Sequence, residues 1–245
     1  MKPFLIWPFL FSLAAAQDKK KETDPLENLK LPGIKINLGE RSVDIKSTVC
    51  LDEGSLEFIA CTKGTKEHES VIAIQAKPSH IHTALLLLGA KAGHPAIRRV
   101  EGEGDDERWI DLPPKGSPIS VSLVINDKDG KPVERPITDF LERSTYGEDL
   151  TKEEKTKAKS RLKTFLFAGS HLHGEGDGPK TYLADRSGSV ISLSTFGDEL
   201  LCLPEVYGQE NHALMWHLNS THLPKVDSEI ILRLRPQVKK EPSKK

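Results

Sequence analysis

Hydrophobic and polar positions along the chain alternate over short stretches more often than they recur at helical spacing. In "IKINLGERSVDIKSTVCL" the residues Val43, Ile45 and Val49 fall on one face, and Gly39-Glu40 supplies a turn between two strands. "SLEFIAC" and "SVIAIQA" read as two further strands by their β-branched and aromatic content. "ISVSLVIN-DKDG-KPVERPI" reads as a hairpin, its turn rich in Asp and Gly. "FLFAGS", "TYLAD", "SVISLSTF", "ALMWHLN" and "SEIILRLRP" add short strands separated by Gly, Pro, Asp and Asn.

Helical spacing is rarer. "KPSHIHTALLLLGAKAG" predicts a helix over 78–89: Pro78 suits the first turn, Leu85 to Leu88 favour a buried helix, and Gly89 or Gly93 ends it. Its apolar second half is expected at the centre of the core. "LTKEEKTKAKSRLKTF" predicts a charged helix opened by Thr151 with Glu154 three residues on, a capping box. Together these predict an α+β fold, mostly antiparallel β-sheet, with one strong buried helix (78–89) and one or two weaker ones.

The N-terminus changes the picture of where the protein acts. Lys2 precedes an apolar run from Phe4 to Leu13, and Ala14 and Ala16 supply small residues before Gln17. Those are the parts of a secretory signal peptide, with cleavage expected after Ala16. The apolar run is too short for a stable membrane span, so no membrane span is expected after cleavage. Residues 17–33 are charged and irregular, a linker, and 237–245 form a basic disordered tail. The expected location is periplasmic or secreted.

The chain carries 35 Lys and Arg against 36 Asp and Glu. That balance leaves no basic excess to neutralise phosphates, so nucleic acid is not an expected partner. Three cysteines are too few for a disulfide scaffold or a four-thiolate cluster.

Candidate chemistry concentrates in "CTKGTKEHES", Cys61 to Ser70. With a two-residue turn at Gly64-Thr65, Cys61 falls opposite His68 on one sheet face. A preceding turn at Asp52 to Ser55 adds Cys50, Glu57 and Ser70 to that face. In this register Cys50 and Cys61 lie ~13 Å apart along the sheet, too far for a disulfide. A Cys61–His68 pair can activate a thiolate or ligate a soft metal, a zinc or copper ion being the candidate cofactor. Glu69 faces away by strict alternation and reaches the imidazole only through a local bulge. The bland alternative is that Cys61 is a small buried hydrophobe and His68 a polar residue near a turn.

"SHIH" (Ser79 to His82) and "SHLH" (Ser170 to His173) are looser candidates. His80 and His82 point apart on a helix, while His171 and His173 enter a flexible loop. A zinc-protease helix is excluded because Ile72 stands where its second His would be, and no Gly-x-Ser-x-Gly elbow or Cys-x-x-Cys pair occurs.

"VCLDEGSLEFIACTKGTKEHES" followed by "HTALLLLGAKAG", with "FAGS", "ISLSTF" and "LPKVDSEIILRLRP" further on, resembles the YdjY-domain family of exported bacterial proteins over residues 34–236. The resemblance implies a domain without an assigned reaction. It matches Cys50, Cys61, His68, Glu69, Ser70 and His82, and it leaves His80, His171 and His173 outside the shared pattern. The four closely spaced cysteines that ferredoxin-like relatives imply are missing here.

Two functions from different classes follow. One is an exported, non-catalytic module that binds a small ligand or a protein partner. The other is a metal-binding or thiol-based enzyme or redox protein with Cys61, His68 and Glu69 as catalytic candidates and Cys50, Cys61, His68 and His82 as metal candidates.

Overall fold

The computed structural model describes residues 29–143, 151–174, 176, 178–206 and 216–237. The leader, most of the charged linker, the basic tail and the first part of "ALMWHLN" lie outside the described residues.

Eight strands form a closed wall. In chain order they are β1 (Ser42–Val49), β2 (Phe58–Thr62), β3 (Ser70–Ile74), β4 (Pro118–Asn126), β5 (Phe165–Leu166), β6 (Ser189–Ser192), β7 (Leu201–Cys202) and β8 (Glu229–Pro236). Around the wall the order is β1-β8-β4-β5-β7-β6-β2-β3, and β3 pairs with β1 to close the circuit. β1 makes this possible by its length. Val43 to Thr48 pair with β8, while Ser47 to Val49 pair with Ile74 to Ile72 of β3. Closure leaves no wall strand with an open edge, which removes the template for edge-to-edge association.

This corrects the α+β expectation. The molecule is mostly β, a mixed barrel with two parallel pairs, β2–β3 and β6–β7. Among the described residues there are only three short helices: α1 (Pro78–Leu87), α2 (Lys152–Arg161) and α3 (Leu183–Ser187). The reason is local. Strand patterns identify strands one at a time, and no pattern in the sequence records that the first and last neighbours of a sheet meet.

The predicted helix 78–89 exists as α1, with Pro78 in its first turn and Gly89 at a left-handed φ of 82° just past its end. Its second half is not the centre of the core. Leu85 and Leu88 are buried, but Leu86 and Leu87 are 47% and 46% exposed. The core instead gathers Val43, Ile45, Ile72, Leu123, Phe165, Ile191, Leu201, Leu232 and Leu234 from the wall strands. The capping box of α2 is present, Thr151 accepting from the Glu154 N–H. The β4 hairpin also forms, its returning strand Pro132–Pro136 pairing with β4 and Asp127 accepting from the Asp129 and Lys131 amides. "TYLAD" divides into a two-residue strand, Thr181–Tyr182, and the start of α3.

Outside the barrel, an ionic network ties β1, β8 and the strand Pro132–Pro136 together. Arg233 forms two 2.6 Å bonds to Asp44, and Arg233 and Arg235 both reach Glu134. The Arg235 guanidinium, followed by Ser122 and Arg233, outweighs burial and holds the Glu134 carboxyl down at about 2. A carboxyl whose folded pKa lies below its free value stabilises the fold fully above the free value, here 4.5, and loses that contribution as pH falls towards 2. Thermal unfolding from pH 5 to pH 2 should therefore show a steeper loss in the native protein than in Glu134→Gln. The difference should be of order 1 kcal/mol or less, since solvent screens a carboxylate this exposed. Parallel curves for the two proteins would contradict this.

Candidate thiol site and adjoining cleft

The stretch Cys61 to Ser70 does not fold back on itself as a hairpin. β2 and β3 run parallel, with Cys61 beside Ala73 on one side and Ser189 of β6 on the other. A parallel partner demands that the connection Lys63–Glu69 carry the chain back to the start of the next strand. Gly64, at φ 86°, makes the turn, and its N–H donates to the Glu67 carboxylate. Glu67–Glu69 then form a single 3-10 turn. The connection also packs on Gly188, whose carbonyl accepts from the Thr62 N–H. A Cβ on Gly188 would collide with the Thr65 side chain.

His68 consequently leaves Cys61. Its side chain is 78% exposed, 3.7 Å from the Glu69 carboxylate, whereas Cys61 is fully buried. The Cys61–His68 juxtaposition expected from a hairpin register is corrected by this parallel pairing. Glu69 does not orient an imidazole towards a thiol. It meets Glu57 instead, and burial, followed by the Glu69 charge and a hydrogen bond to it, raises the Glu57 pKa.

What the connection brings to Cys61 is different. Ser70 Oγ donates to Lys66 O at 2.7 Å, and both residues lie where they favour the ionised form of Cys61. Cys50, which the hairpin register puts far away, acts on it as well. Cys50 N–H donates to Val71 O of β3, so the two cysteines flank β3, and the Cys50 thiol donates to Thr48 O at 3.7 Å. The Cys50 pKa is pushed far up by Cys61, by burial and by the charges of Glu67 and Asp227. Cys61 is the member that ionises: Cys50 brings its pKa down to about 7, helped by Ser70 and Lys66 against the opposing effect of burial.

Lys66 also fastens the connection to the barrel. Its Nζ donates to Ser189 Oγ at 3.1 Å and lies 4.3 and 4.5 Å above the rings of Phe58 and Phe196, which stack at 4.6 Å. Phe196 leads to a cleft of about 660 Å³. Its lining includes Ile97, Arg98, Asp111, Leu112, His171 and Phe196. On one wall, Arg98 grips Asp111 with two bonds of 2.7 and 3.0 Å. The hairpin Ile97–Glu101 with Arg108–Leu112 forms that wall. Arg98 and Asp111 stand directly opposite one another in this strand pair.

His82 lies in a separate cluster. Tyr182 donates its proton to Gly169 O at 2.8 Å, so its oxygen accepts from His82 Nδ1, also at 2.8 Å. The ring packs edge-on against Phe167. Burial lowers the His82 pKa. Gly169, at φ 86°, admits no side chain because Ala92 and His82 crowd it, which gives "FAGS" a packing role. Among the described residues, no three His, Cys, Asp or Glu side chains gather as a metal site. The four metal candidates therefore do not gather: Cys50 and Cys61 lie on either side of β3, and His68 and His82 stand apart from them.

The YdjY domain model matches residues 34–235. The chain belongs to the YdjY-domain family. No curated protein and no solved structure matches it. In this YdjY domain the two cysteines, Ser70 and the Lys63–Glu69 connection form one unit, and the family resemblance noted in the sequence runs through all of them.

Ultraviolet thiolate absorbance followed against pH should show one thiol ionising near pH 7 in the native protein. In Cys50→Ala that midpoint should return towards the ordinary ~8.5, and in Cys61→Ser it should vanish. An unchanged midpoint in Cys50→Ala would contradict the coupling.

Proposed function

We propose that this YdjY domain is an exported, non-catalytic binding module, periplasmic or secreted, whose small ligand enters the cleft beside Phe196. The cleft itself carries the reading. Its volume falls within the range of small-molecule sites, and its lining mixes apolar surface with a few placed polar groups. Phe196 offers a ring face held by its stack on Phe58 of the barrel. Arg98 and Asp111 offer opposite charges, already neutralised by one another, to a ligand carrying a polar group on an apolar body. His171 adds a further nitrogen at the rim.

Export is supported by the charged start, apolar run and small-residue end of residues 1–16. Fractionation of a bacterial host expressing the whole chain should recover the protein outside the cytoplasm with Gln17 at its N-terminus. Cytoplasmic protein retaining residues 1–16 would contradict export.

The cleft is tested separately by amide chemical-shift mapping with aromatic acids, aromatic amines and monosaccharides as probes. Probes that bind should move the amides of 96–98, 111–112 and 195–197, and Phe196→Ala should weaken them about tenfold, the scale of one aromatic contact. Binding that leaves those amides unmoved would place the ligand elsewhere.

A further inference from the structure

We propose that the cleft beside Phe196 takes one unit of a neutral, β-linked, gluco-configured oligosaccharide, and that the next unit of the chain stacks on Trp109. The inference rests on the reading of that cleft as a ligand site and names the class of ligand.

It starts from the alternation of side chains along the hairpin wall. Arg98 pairs with Asp111 and Val100 with Trp109, so these four residues share one face of the two strands. The opposite face carries Arg99, Glu101 and Arg108, joined by ion pairs of 3.6 and 3.4 Å. Arg98 and Asp111 line the cleft. Their face therefore runs outward from it, and the Val100–Trp109 pair comes next, ~7 Å along the strands. Trp109 is 68% exposed and Val100 44%. A tryptophan laid open to this extent adds little to a core. Beside a cleft it supplies a flat apolar surface with a donor at its edge.

Charge narrows the ligand. In the lining of the cleft the opposite charges of Arg98 and Asp111 cancel, and an ionic ligand of either sign meets one like charge there. Hydrogen-bonding capacity survives the pairing. A guanidinium has five N–H groups, of which two hold Asp111, and each Asp111 oxygen accepts one bond and keeps a further lone pair. Such an edge suits a ligand that donates and accepts at adjacent atoms, as neighbouring hydroxyls do. Phe196 and Trp109 suit a flat apolar face. A pyranose combines both, with hydroxyls around its rim and C–H groups on its face. The gluco configuration with β links keeps every substituent in the rim, so successive rings all offer a flat face. One ring fills the cleft, and the chain continues over Trp109.

The test titrates the purified protein with cello-oligosaccharides and chitin oligosaccharides of one to four units, followed by amide and indole chemical shifts. Chains of three or four units from at least one series should move the Trp109 indole N–H together with the amides of 96–98 and 195–197. They should bind about tenfold tighter than the single sugar, the scale of one added aromatic contact. Trp109→Ala should remove that gain and leave single-sugar binding unchanged. A tryptophan that only stiffens the hairpin would weaken both alike and overturn the proposal. Raising the salt concentration tenfold should leave the affinity unchanged, because the ligand carries no charge. Whichever series binds identifies the sugar unit. Equal binding of one unit and four, or a proline-rich peptide moving the Trp109 indole in preference to both series, would also overturn it. Aromatic acids that move the cleft amides while both series leave them unmoved would overturn the oligosaccharide and leave the cleft as a ligand site.

Discussion

The direction of one strand governs the site. Because β2 and β3 run parallel, the segment between them must travel back along the sheet before the chain can continue. That return ties the Ser70 hydroxyl to Lys66 O, turns His68 out to solvent, and presents the Lys66 side chain to Phe58 and Phe196. Had the same residues formed a hairpin, each of these contacts would be replaced by a different one. β3 also closes the barrel through β1, so the strand that shapes the thiol site is the strand that completes the wall.

Electrostatics then sort the two thiols. Cys61, burial and the charges of Glu67 and Asp227 raise the Cys50 pKa, while Cys50, Ser70 and Lys66 lower that of Cys61 against burial. At the ends of the same strands Glu57 and Glu69 form a carboxyl pair, in which burial and proximity of like charges raise Glu57. Both pairs are consequences of the Lys63–Glu69 connection, which draws polar groups towards an otherwise apolar wall.

Much of this was legible in the sequence, residue by residue. The alternation of Val43, Ile45 and Val49, the Asp-rich hairpin turn, the Thr151–Glu154 capping box and the start of α1 at Pro78 are local patterns, and local patterns survive folding. The sequence also put Cys50, Cys61 and Ser70 on one sheet face, though with the two cysteines ~13 Å apart along it. What the sequence could not convey was direction. Gly64-Thr65 between two apolar runs reads as a tight hairpin turn, and nothing in seven intervening residues announces a parallel return, which ordinarily takes a longer crossover. Barrel closure is equally silent, because it depends on β1 and β3 meeting across the fold. The exposed half of α1 illustrates the same limit: four leucines in a row look buried until tertiary packing assigns two of them to solvent.

The parallel register is therefore the claim on which the site rests, and nuclear Overhauser contacts between backbone protons measure it directly. The account predicts contacts linking Ala60 and Cys61 to Ile72 and Ala73, in the pattern of neighbouring parallel strands. A close Cα-proton contact between Cys61 and His68, as two antiparallel strands would give, would contradict it.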